Sequence, residues 1–250
     1  RHPRLAGPRS PDLGPPLQRA LAVIAGLAEA AAGEVPVVGL ALSPFSLPIM
    51  QLGFERYLQL TYGEPELFWR LMAVNEEFCV RWANAQFAAG ATAVAYYDPV
   101  SSPTITAPAT FATTGLLIAR RTLARFDGPA VLHLASGRCL PILDELATTG
   151  AAGLGVCAEE DLGEIKARAG RRLALVGNLN GIEMRGWSPG EAEAKVKAAI
   201  RAGGPGGGFI LSDNHGEIPW QVAGETLDAI ADAVDRWGRY PLEWIDAETR

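Results

Sequence analysis

Six short runs rich in β-branched residues, each preceded or followed by a segment with helical apolar spacing, predict an α/β fold built on parallel strands. The candidate strands are Val37–Leu42, Thr92–Tyr97, Ala130–Leu134, Gly153–Cys157, Leu173–Val176 and Phe209–Leu211. Helix-length connections imply parallel pairing with right-handed crossovers, because antiparallel hairpins need only short turns. The chain has 250 residues, 48% hydrophobic and 20% charged, which is enough to bury one core and excludes global disorder. A closed β/α barrel and a doubly wound open sheet both satisfy this pattern. Residues 16–244 read as a single domain, with an irregular tail over 1–15 and another over 245–250.

Element by element, Arg1–Pro8 has neither an initiator Met nor an apolar core of signal-peptide type, and reads as a cut end. Between the first two strands, Leu67, Leu71, Val74, Phe78 and Trp82 recur at steps of four, three, four and four. They form the stripe of a long helix opened by Pro65, with Cys79 in its core. Ser188-Pro189-Gly190-Glu191 supplies an N-cap, a first-turn Pro and a capping-box Glu for a helix ending near Gly203. The last helix is expected to carry Val222, Leu227, Ile230, Val234 and Trp237 on one face. Gly203-Gly204-Pro205-Gly206-Gly207-Gly208 looks like a phosphate cradle, but it precedes a strand, and a phosphate loop must follow one. It therefore reads as an αβ turn. Trp82, Trp187, Trp220, Trp237 and Trp244 read as packing residues.

Composition excludes several function classes. With 22 basic and 28 acidic residues the net charge is −6, and the cations are scattered apart from Arg120–Arg121 and Arg171–Arg172, so no nucleic-acid footprint is expected. Cys79, Cys139 and Cys157 are odd in number and widely spaced, which argues against a disulfide framework and for a reducing, cytoplasmic interior. No apolar stretch reaches the roughly 18 residues of a membrane span.

In both candidate architectures chemistry collects where strands end. The six ends carry Ser43 and Phe45, then Tyr97 and Asp98, then His133, then Cys157 with Glu159 and Glu160, then Asn178 and Asn180, and finally Asp213 and His215. Singly these have plain structural readings. Asp98 and Asp161 suit Asx turns or N-caps, a strand-end His anchors loops, and Cys157 suits a small buried apolar site. Two of the three histidines, a cysteine and two aspartates at corresponding ends instead point to one shared site. Consecutive strand residues face opposite ways, so at most one of Tyr96 and Tyr97 faces that site.

Several motifs, in order, resemble the uroporphyrinogen decarboxylase superfamily, which includes corrinoid-dependent methyltransferases and is akin to cobalamin-independent methionine synthase. They are Ser43-Pro44-Phe45-Ser46-Leu47, Asp98-Pro99-Val100-Ser101-Ser102, Leu132-His133 with Pro141-Ile142-Leu143-Asp144, Gly177-Asn178-Leu179-Asn180, and Phe209-Ile210-Leu211-Ser212 leading to Gly216-Glu217-Ile218-Pro219. The resemblance implies a TIM-type barrel. It also implies that the chain starts near the helix before the family's third strand, so that about six of eight strands are present. Open parallel edges would then be closed by preceding chain or by a second copy in a homodimer.

Against the decarboxylase pattern, the paired arginines and the first aspartate have no counterpart, Leu47-Pro48-Ile49-Met50-Gln51 lacks the tyrosine, and Pro99 replaces a serine. His215-Gly216 keeps the His-Gly. Against the methyltransferase pattern, Ala135 replaces the cysteine of the His-x-Cys zinc pair. The resemblance still implies a rearranged zinc site of His133, Cys157 and His215 with one position open for a thiol, and Asp98 or Asp213 supporting a ligating imidazole. The expected function is methyl transfer from a corrinoid, carried by a separate protein, to a metal-activated thiol. The alternatives are a carboxy-lyase of porphyrin-metabolism type and a non-catalytic ligand binder. The lyase needs no metal and uses His215 as proton donor, with Asn178 or Asp98 positioning the acid. Ser43, Phe45, Tyr97 and Asp213 are the expected substrate contacts.

Overall fold

A computed structural model describes residues 13–214 and 218–248. It is an α/β fold with six parallel strands, as the alternation predicts. In chain order the elements are α1 (Pro15–Ala31), β1 (Val38–Leu42), α2 (Leu47–Leu52), α3 (Phe54–Gly63), α4 (Pro65–Ala88), β2 (Ala93–Tyr97), α5 (Pro108–Thr113), α6 (Gly115–Leu123), β3 (Ala130–His133), α7 (Leu143–Leu146), β4 (Gly153–Gly155), α8 (Leu162–Ala169), β5 (Ala174–Leu179), α9 (Pro189–Gly203), β6 (Phe209–Asp213), α10 (Gly224–Trp237) and α11 (Glu243–Glu248). The strand centres fall where expected, with β4 shorter and β5 and β6 longer than the sequence pattern suggests. Val222 lies ahead of α10 rather than on its face, and α11 occupies part of the expected C-terminal tail. The described residues divide into two compact units, one running to 98 with 112–131 and the other comprising 99–111 with 132 onward.

In the first unit β1 and β2 pair in parallel, Val38 opposite Ala93 through Leu42 opposite Tyr97. Strand alternation puts Ala41, Val94 and Tyr96 on one buried face, packed with Ala83 of α4 and partly buried Trp82, Phe87 and Phe126. Val38 and Leu40 on the other face are 57% and 56% exposed. The Ser43 N–H donates to Tyr97 O, so odd-numbered β1 residues bond toward β2 and Leu40 points outward. There α4 stands in for a further strand. The Leu40 N–H donates to Gln86 Oε1 at 2.8 Å, and Leu40 O accepts from Gln86 Nε2 at 3.0 Å and Trp82 Nε1 at 2.9 Å. The Cys79 thiol donates to Leu42 O at 3.0 Å. Only a glycine at 39 leaves room for the Gln86 amide, since a Cβ there would collide with its oxygen. The edge expected to be open is thus blunted by side chains at Leu40 and Leu42.

In the second unit β4 pairs with β5 and β5 with β6, again parallel, with Gly153 opposite Ala174 and Leu175 opposite Phe209. Neighbours in each unit are consecutive in the chain, so neither contains the strand-order reversal of a doubly wound sheet. Helix α9 packs on β5, β6 and α10, burying Ala192, Val196, Ala199 and Ile200. Its start is the expected capping box. The Ser188 side chain accepts the Glu191 N–H, while the Glu191 carboxylate accepts the Ser188 N–H at 2.8 Å. The glycine-rich segment is a turn between α9 and β6, with Gly206, Gly207 and Gly208 at φ of +80°, +75° and +65°. Among the described residues no helix is long and apolar enough to cross a membrane.

Candidate active site at the strand ends

In the first unit, the ends of β1 and β2 close a buried polar knot. Ser43 Oγ donates to Asp98 Oδ1 at 2.6 Å and Ser46 Oγ donates to the same oxygen at 2.7 Å. The Ser46 N–H in turn donates to Ser43 Oγ at 2.9 Å. All three residues are buried. Phe45, expected to contact substrate, is core: its ring meets Tyr57 and Phe68 edge-on, and its carbonyl accepts the Tyr57 hydroxyl at 2.6 Å. Burial holds the Tyr57 and Tyr96 phenols above their ordinary range. Tyr96 packs edge-on against Phe126 and Tyr97 is half-buried, as strand alternation requires.

The second unit gathers His133, Cys139, Cys157, Glu160 and Asn178. After β3 the chain turns sharply, with Ala135 at φ +53° and the Gly137 N–H donating to Leu134 O at 2.9 Å. That turn directs the Ala135 N–H at His133 Nδ1, 3.0 Å away, and presents Ser136 O to the Cys157 thiol at 3.1 Å. The His133 ring lies against β4: a Cβ built on Gly155 would sit 2.5 Å from its Cδ2 and 3.0 Å from its Nε2. With its Nδ1 lone pair occupied, a neutral ring carries its proton on Nε2. Desolvation raises the Cys157 thiol above its usual range, and burial does the same to Cys139.

Glu160 ties these loops together. Its carboxylate accepts the Cys139 N–H at 2.9 Å and the Leu140 N–H at 2.8 Å. Asn178, the expected catalytic amide, donates from Nδ2 to Cys157 O at 3.2 Å and Glu160 O at 3.3 Å, joining β5 to the loop after β4. Beside it lies a cavity of about 370 Å³, bordered by Glu159, Asp161, Asn178, Asn180, Glu183 and Lys195. This is within the size range of small-molecule sites. Asp161 also has its plain role, capping α8 through the Glu164 N–H at 2.9 Å.

The structure therefore brings together His133, Cys157 and Asn178, and separately Ser43 and Asp98. Asp213 is half-buried at the end of β6. His215, with Gly216 and Glu217, lies outside the described residues. Among the described residues no three His, Cys, Asp or Glu side chains form a ligand set. Trp220, expected to pack, is 97% exposed just after that segment. Sequence reasoning missed Glu160 as a loop clamp and the cavity's Glu183 and Lys195. A charged loop residue carries no local signal of the backbone amides it will meet.

A family model described as uroporphyrinogen decarboxylase (URO-D) matches residues 2–237. Uroporphyrinogen decarboxylase of Alkalilimnicola ehrlichii is 30% identical over 225 residues, 84% of this chain and 61% of that protein. Methylcobamide:CoM methyltransferase MtaA of Methanosarcina barkeri is 28% identical over 207 residues, 82% of this chain and 59% of that protein. The chain thus spans about three-fifths of the length of these relatives. A solved methyltransferase from Methanosarcina mazei shares the fold, with a TM-score of 0.80 at 24% identity over 88% of this chain and 64% of that one.

Proposed function

The chain belongs to the uroporphyrinogen decarboxylase family, and from that premise we propose that it is part of a TIM-type barrel enzyme releasing CO2 from a small carboxylated molecule. The observation that carries this reading is the hydrogen bond from the Ala135 N–H to His133 Nδ1. It makes the neutral ring an Nε2–H hydrogen-bond donor, the state suited to holding the substrate carboxylate and the negative charge that develops as CO2 departs. Asn178 orders the β4 and β5 ends beside the cavity, and His215 keeps the proton-donor role assigned from sequence. General acid catalysis of this kind contributes about 10²–10⁴-fold to rate.

The test is anaerobic incubation of the purified protein with a panel of carboxylated substrates, uroporphyrinogen first, with CO2 release measured. We expect release that His133→Ala lowers by about a hundredfold or more. Release unchanged by that substitution removes His133 from the chemistry. A second reading is supported by the identity to the methylcobamide:CoM methyltransferase: methyl transfer from a corrinoid, brought by a partner protein, to a thiol. Demethylation of methylcobalamin by added thiols, without CO2 release, selects it over the first.

A further inference from the structure

We infer that His133 and Cys157, which the family resemblance offers as zinc ligands, are wired by the turn after β3 against binding zinc, so that the chemistry of this site is metal-independent. Zinc takes a lone pair from a neutral imidazole and from a thiolate. The Nδ1 lone pair of His133 already accepts the Ala135 N–H at 3.0 Å, so ligation through Nδ1 would displace that bond. Ligation through Nε2 would shift the ring proton to Nδ1 and set it against the Ala135 N–H. Gly155 resists turning the ring aside, because the β4 backbone already lies against it.

Cys157 meets the other side of the same turn. Its thiol donates to Ser136 O at 3.1 Å, and a thiolate would lose that bond and face the carbonyl oxygen. The Glu159 N–H, which would favour a thiolate, is the longer contact at 3.4 Å. One peptide turn thus addresses both side chains with the polarity opposite to a zinc site, and it does so where the resemblance implies a ligand cysteine and this chain has Ala135. His215 is not needed for this conclusion, since a site without His133 and Cys157 is no longer the implied trio.

The inference shares His133 with the proposed function but is tested without substrate, so zinc binding and CO2 release can fail independently. Purified protein is titrated with zinc chloride against a chelating indicator, alongside His133→Gln and Cys157→Ser. We expect the affinity of all three to agree within about twofold. Equal zinc binding by all three still supports the inference, because the ligands then lie elsewhere. Stoichiometric zinc weakened roughly a hundredfold in both variants overturns it. Long-range proton–nitrogen NMR of histidine-labelled wild type gives the second readout and needs no variant to fold. His133 protonated at Nε2 before and after zinc is expected, and protonation at Nδ1 overturns the inference.

Discussion

The two units each bury polar side chains at strand ends, and the partners of those side chains differ in kind. In the first unit Ser43, Ser46 and Asp98 bond to one another, with both hydroxyls on one carboxylate oxygen. In the second, His133, Cys157, Asn178 and Glu160 bond to loop backbone. Side chains bonded to one another in this way stabilise the strands they join. Side chains held by backbone groups have their donor or acceptor state set by the loop, which is what a preorganised binding site requires. On the proposed function, the first cluster serves the strands and the second serves the chemistry.

Substitutions can break or sharpen that contrast. The largest effect is expected from Asp98→Ala, which strands two buried hydroxyls and should cost about 3 kcal/mol or more in a denaturant titration. A catalytic Asp98 would instead leave stability nearly intact while abolishing activity. Glu160→Ala removes the acceptor for the Cys139 and Leu140 amides and should cost about 2 kcal/mol. Hydrogen exchange should speed up first at those two amides, and Glu160→Gln should restore part of the protection. Gly155→Ala drives a methyl into the His133 ring at about 1–2 kcal/mol, and CO2 release should fall further than stability does. Equal losses of both would mean that the ring's placement is only packing.

The smallest effect concerns pH. The Arg172 and Arg168 guanidiniums hold the Asp144 carboxyl below its ordinary range. Its folded value lies below the unfolded one, so the contribution is present above the unfolded range and is lost as pH falls through the folded value. Because Asp144 is exposed, Asp144→Asn should flatten the acid limb of the stability profile only slightly. A pronounced flattening would mean that this surface triad matters more than either buried cluster.

Much of the fold is legible in the sequence because its causes are local. The stripe from Leu67 to Trp82, the capping box at Ser188 and Glu191, and the opposite facing of Tyr96 and Tyr97 depend on residues within a few positions of each other. Strand lengths are less legible. The β5 strand runs on through Gly177 and Asn178 to Leu179, whereas the β-branched signal stops at Val176. Phe45 looks like a pocket residue at a strand end, and only the arrival of Tyr57 and Phe68 makes it core.

What the sequence by itself determined is the order and type of the elements, the strand ends on which chemistry could collect, and the family. Periodicity, caps and motif spacing are encoded at short range. What only the tertiary structure decided is how those ends are used: Asp98 tied to two serines, Glu160 clamping amides about twenty positions upstream, and a single turn that sets the hydrogen-bond polarity of His133 and Cys157. A side chain's protonation state and its capacity to ligate depend on which donor or acceptor lies about 3 Å away, and that neighbour is supplied by folding.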